Sequence, residues 1–147
     1  MSKSNTFETA LMQHVFQNTA CGTIGDAAGL LGSSAAGSLY ISLHSADPGE
    51  AGNQTTNELA YTNYARVGVA RGTATWTITG GSAINAGSIT FPACGTVAGG
   101  TATYFGVGGS ATGTGHLMYS GSLTASLGIT GGITPSFAGS ALSVSED

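Results

Sequence analysis

Charge is what this chain has least of. Charged residues make up 7% of its 147 residues, three basic and seven acidic, where an average soluble domain carries roughly a quarter. The basic residues are Lys3, Arg66 and Arg71. Binding a nucleic acid means displacing counterions with several Lys or Arg, so direct DNA or RNA binding is not expected. A polybasic membrane anchor fails on the same ground, and no stretch approaches the ~18 apolar residues of a spanning helix. Cysteine is scarce too. Cys21 and Cys94 cannot build a disulfide framework, and without a C-x-x-C there is no redox or zinc pair; both read as buried free thiols. Aromatics are 7%, which leaves little ring surface for stacking sugars.

What remains is apolar or small and uncharged. Hydrophobic residues are 41% and glycines number 25. Disorder goes with high charge and low hydrophobicity, and this chain has neither. A free-standing surface usually carries more charge than this, so much of the surface is expected to be covered by partners.

One helix is predicted, over Asn5 to Asn18. Phe7, Leu11 and Val15 recur on one face, Met12 and Phe16 widen it, and Asn5 with Glu8 three residues on reads as a capping box. Ala20 to Ser38 is a Gly/Ser-rich connection with one helical turn expected near Asp26–Leu31. From Leu39 onward short alternating segments are separated by glycine turns: Leu39–Leu43, Val67–Val69, Trp76–Ile78, Ile84–Phe91 stopped by Pro92, Thr103–Val107, Leu117–Tyr119, Leu123–Ile129 and Ile133–Val144. Pro135 marks an edge or a bulge in the last. Strands of this length and spacing predict a mainly β fold, a jelly-roll-like β-sandwich with a short N-terminal α-helix. The organisation read from this is an N-terminal helix and Gly/Ser-rich arm over 1–38, then a β-sandwich domain over 39–147.

Three patterns imitate active sites. His44-Ser45-Ala46-Asp47 crowds a histidine, a serine and an acid together, but a triad is assembled in space and needs a separately presented nucleophile. The segment reads as a strand end entering an Asp-Pro-Gly turn, with Asp47 accepting backbone hydrogen bonds and His44 making a polar contact. The Gly106–Gly115 run suggests a phosphate loop, yet Thr114 stands where a Walker lysine belongs; it reads as a flexible hairpin loop. His14, His44 and His116 share no metal-ligand spacing, and no calcium loop or supported carboxylate pair is present. No catalytic, cofactor-binding or metal-binding residues are assigned, and no cofactor is expected.

Arg66 and Arg71 are conspicuous in so uncharged a chain. One of them is expected to pair with Glu58 or Glu50, either as a surface ion pair or as an intersubunit bidentate contact. Phe7, Leu11, Val15, Arg66 and Arg71 are the candidate intersubunit contacts.

The run Leu39 to Arg71, with Leu39–Gly49, Gln54–Glu58 and Tyr61–Val67 as its most distinctive pieces, joins Trp76, Ile89–Pro92 and the acidic Ser145–Asp147 end. Together they resemble a group of small tailed-phage proteins encoded among virion structural genes, whose members are often described as phage tail fibre proteins. The resemblance implies a non-enzymatic structural role in the particle, after synthesis in the host cytoplasm, since the N-terminus lacks the continuous apolar run of a secretory signal. Low charge and a compact β domain favour a capsid decoration, or cement, protein on the head, bound to the major capsid protein and to copies of itself, with a trimer as the analogy. A tail or tail-fibre-associated protein is the alternative, and a glycan-binding β-sandwich a further one.

Overall fold

The computed structural model describes residues 2–95 and 98–146. Its elements are α1 (Asn5–Gln17), β1 (Ser38–His44), β2 (Val67–Ala70), β3 (Trp76–Thr79), β4 (Ser82–Asn85), β5 (Ile89–Thr90), β6 (Gly100–Gly108), β7 (Leu117–Ile129), β8 (Ser136–Phe137) and β9 (Ser143–Ser145). The fold is mainly β with one short N-terminal helix and several antiparallel sheets, as the glycine-punctuated alternation implies. The chain forms two compact units. One is Met1–Ser38, Ala70–Ser88 and Phe137–Asp147; the other is Leu39–Val69 and Ile89–Ser136.

In the first unit α1 packs on β3 and β4, which with β9 make a sheet of order β3-β4-β9. The helix starts one residue earlier than the capping-box reading expects. Ser4 is the N-cap, its Oγ accepting from Phe7 N–H at 3.4 Å and its carbonyl taking Phe7 and Glu8. Serine caps as well as asparagine, and Glu8 then lies one place past the box position. Asn18 ends the helix in the left-handed region at φ 60°, a conformation asparagine tolerates.

The buried face is Met12 and Phe16, both fully buried. Phe16 meets Trp76 edge-on with ring centroids 4.8 Å apart, and Gln17 Nε2 donates to the Trp76 carbonyl at 2.7 Å. The expected Asp26–Leu31 helical turn is instead an Asx turn: Asp26 Oδ1 accepts from Ala28 and Gly29 N–H at 2.8 and 2.9 Å. An isolated Cys21–Leu30 bridge closes the loop around it.

The expected Ile84–Phe91 strand is two short strands, β4 and β5, because Asn85 is buried and turns the chain. Its Nδ2 donates to the Gly87 and Ala138 carbonyls and its Oδ1 accepts from Leu142 N–H. The segment after Gly132 is likewise split, into β8 and β9. Conversely, Leu117–Tyr119 and Leu123–Ile129 belong to one strand, β7.

The second unit is built on a four-stranded antiparallel sheet of order β2-β1-β6-β7. Tyr40↔Gly108 through His44↔Tyr104 set the β1–β6 register. Strand β7 pairs with β6 and forms one edge. Side chains alternate across a strand, so Ile41, Leu43, Phe105 and Val107 share one buried face. Tyr40, Ser42 and His44 point to the other face, beneath the polar loop that follows β1.

Candidate functional site

The face of the four-stranded sheet under that loop holds a buried polar cluster. Ser42 and His44 are two apart on β1, so their side chains stand together; Ser42 Oγ and His44 Nε2 are 2.8 Å apart. His44 Nδ1 lies 2.8 Å from the Thr56 carbonyl. A carbonyl only accepts, so Nδ1 carries the proton and Nε2 accepts from Ser42. Burial pushes the His44 pKa below its ordinary value, outweighing the opposing hydrogen bond to Thr56 and the charge of Glu58. The imidazole is held neutral.

Beside this pair Glu58 and Arg66 make a bidentate ion pair. Arg66 Nε and Nη2 donate to the two Glu58 carboxylate oxygens at 2.7 Å each. Two further guanidinium hydrogens go to the Ser110 and Gly113 carbonyls at 3.0 and 2.8 Å. Tyr64 Oη donates to Glu58 at 2.9 Å and accepts from Leu43 N–H at 3.0 Å. Burial keeps this phenol protonated far above its usual range, and the Glu58 hydrogen bonds raise the Arg66 pKa further.

The Gly106–Gly115 run is a cradle for this cluster. Gln54 is fully buried, with Oε1 accepting from Ser110 N–H at 3.0 Å. A Cβ at Gly108 would collide with Gln54 Cδ, and one at Gly115 with Gln54 Oε1. At Gly106 it would sit 2.6 Å from both His44 Nε2 and Ser42 Oγ. Side chains are missing there because the polar residues of the preceding block occupy the space. The loop that reads in sequence as flexible is therefore tied at Ser110 and Gly113 by Arg66 and Gln54.

This arrangement offers a reactant no entry. Ser42 and His44 have the nucleophile–base spacing, but both are 0% exposed and the Gly106 backbone lies against them. Asp47 takes no part: its Oδ1 accepts from Gly49 N–H at 2.9 Å, the turn role expected of it. Among the described residues no group of three His, Cys, Asp or Glu could hold a metal ion, and no helix is long and apolar enough to cross a membrane.

The candidate contact residues are not gathered into one site. Arg66 is in the cluster just described. Arg71 belongs to the other unit and closes the C-terminal end of α1, with Nε on the Val15 carbonyl, Nη2 on the His14 carbonyl and Nη1 on Ala36. Phe7 is exposed, and Leu11 and Val15 are half-buried, since Met12 and Phe16 carry the helix's packing. Sequence reasoning misses Ser42, Gln54 and Tyr64. The spacing of Ser42 and His44 on a strand is the signal that could have found the first.

A cleft of about 470 Å³ opens beside the cluster, lined by Asp47 and Glu50 of the polar loop, Tyr104 of β6 and the consecutive residues Leu117 to Ser120 of β7.

The cluster's charged and polar groups tie the polar loop and the Gly106–Gly115 run together. Residues 2–145 match a family of phage virion structural proteins. That family is Gp80, described as podophage GP4 fiber I protein gp80, and the chain belongs to it. No curated protein matches the chain.

Proposed function

We propose that this chain is a non-enzymatic structural subunit of the phage tail-fibre apparatus. The observation that carries the reading is the match of almost the whole chain to a fibre protein family. Because that description is of a fibre, a tail position takes precedence over the head-decoration role that low charge and a compact β domain favour in the sequence. The site chemistry supports a mechanical role. Its ionisable groups are spent on holding loops: Glu58 and Arg66 on each other and on the Gly106–Gly115 segment, and His44 on Thr56 and Ser42. The chain shows no heptads or repeats of the kind that build a long fibre shaft, which favours a fibre-associated element over the shaft itself. Separating purified heads from tails and probing each with an antibody tests this. The chain should partition with tails; abundant chain on tailless heads and none on tails would restore the decoration reading.

A further inference from the structure

The Gly22–Gly29 loop of the first unit is ordered yet projects into open space. Cys21 and Leu30 exchange two backbone hydrogen bonds of 2.9 Å and close its base. Next to them the Asn18 amide exchanges two more with the Ser33 backbone, at 2.9 and 2.8 Å. Inside the loop Asp26 Oδ1 holds the Ala28 and Gly29 N–H groups. Every residue from Gly22 to Ala28 is exposed, and a Cβ added at Gly22 or Gly25 would meet nothing within 4 Å. Two features set this loop apart from a plain connection. Among the described residues six large hydrophobic side chains are exposed, and three of them fall here: Ile24 at 38%, Leu30 at 44% and Leu31 at 68%. Thr23 sits at φ 63°, a left-handed conformation that a β-branched residue rarely enters. Strain of this kind persists where the surrounding structure imposes it, and it gathers at binding sites.

We infer that this loop is a preformed apolar finger that docks into a concave, neutral, apolar socket on a different virion protein. Area and charge decide against a second copy as the occupant. A stable interface engages about 20–30 residues a side, and two short fingers meeting tip to tip are convex against convex, so they bury far less. The cleft that a second copy offers is walled by Asp47 and Glu50, and an aliphatic finger would strip water from those carboxylates without replacing their hydrogen bonds. A socket instead covers the finger on all sides, so each residue buries more. A neutral lining also matches the finger's own charge. Between Ala20 and Ser38 the single charged residue is Asp26, and its carboxylate is already hydrogen-bonded within the loop. Because the loop is held before contact, little ordering remains to be done on binding. The inference goes beyond the tail-fibre reading and needs only that the chain is part of the virion.

The test places a photo-crosslinking residue, benzoylphenylalanine, at Ala27 of the full chain in assembled particles, which leaves Ile24, Leu30 and Leu31 in place. Irradiation should join the chain to one other virion protein, identified by mass spectrometry. The same residue at Met118, an exposed position of the other unit, should not give that adduct. A second arm adds purified chain to particles assembled without it and measures co-sedimentation. Ile24→Asp and Leu31→Asp should each weaken binding by about tenfold or more, the worth of one buried aliphatic side chain, and should leave the melting temperature unchanged because both positions are exposed in the free chain. Thr23→Gly relieves the left-handed φ, so it should not lower the melting temperature, but it should weaken binding roughly threefold by letting the free loop roam. An adduct to a second copy, no adduct at Ala27, or the same adduct from Ala27 and Met118 overturns the proposal. So does unchanged binding of Leu31→Asp. Where particles do not assemble without the chain, the crosslink alone decides. Neither arm depends on whether heads or tails carry the chain, so failure here leaves the tail-fibre reading to its own test.

Discussion

Arg66→Ala tests the reasoning most directly. The side chain is 3% exposed and its partner Glu58 12%, so the pair is screened little by solvent. Truncation removes two charge-assisted bonds to Glu58 and two bonds to the Ser110 and Gly113 carbonyls. The carboxylate is left with Tyr64, and of the loop's tethers only those to Gln54 remain. Breaking a buried pair from one side costs about 3–5 kcal/mol, out of a total stability of roughly 5–15 kcal/mol for a domain. The midpoint should fall by on the order of 10 °C. Arg66→Lys should recover only part of this, since an ammonium cannot match both carboxylate oxygens and reach two carbonyls. Removing both partners, Glu58→Leu with Arg66→Met, should cost far less than Arg66→Ala, because no charge is left unpaired. Urea unfolding measures all three, and hydrogen exchange should show amides at Ser110–Gly115 losing protection first. A loss below about 1 kcal/mol in Arg66→Ala would mean the pair behaves as an exposed one and that the loop is held by something else.

Other consequences are separable. Gly108→Ala should destabilise by about 2 kcal/mol or more through overpacking against Gln54, while Gly109→Ala, whose Cβ would approach only Met118 at 3.5 Å, should be near neutral; thermal melts of the two distinguish cradle from loop. Because the folded-state pKa of His44 is lowered from its ordinary 6.5, the unfolded chain binds the extra proton first. Stability should be full above that value and decline as pH falls through it, and His44→Gln should flatten this part of the unfolding-versus-pH profile. Phe16→Ala empties the contact with Trp76 and should cost about 3–5 kcal/mol by chemical denaturation.

The legible parts of this fold are those where one residue dictates its own environment. Trp76 alternates with threonines and is buried; Asp47 precedes Pro-Gly and caps a turn; an arginine with few acids near it in sequence finds Glu58. Element boundaries are less legible because they depend on partners distant in sequence. Asn85 breaks the Ile84–Phe91 run by bonding to Ala138 and Leu142, more than fifty residues away. The choice between Ser4 and Asn5 as N-cap rests on a difference too small for propensity to resolve. On α1 the apolar face is wide enough that the sequence pattern does not say which part of it faces the core.

The glycine-rich run is the clearest case of meaning that lies outside its own letters. Read alone, Gly106–Gly115 resembles either a phosphate loop or a flexible tip, since both need backbone without side chains. In the fold three of its glycines are small because His44, Ser42 and Gln54 lie where a Cβ would go. Two of its carbonyls hold Arg66. The Ser42–Arg66 part of the recognisable block and this loop are therefore two halves of one polar core. The block supplies the side chains; the loop supplies bare backbone to receive them. A substitution on either side should be tolerated only with a change on the other. Gly108→Ala combined with Gln54→Ala should accordingly cost less than the sum of the two single changes, a coupling of roughly 0.5–3 kcal/mol if the two groups share one space. Simple additivity would show that the glycines answer to the local turn and not to the residues packed on them.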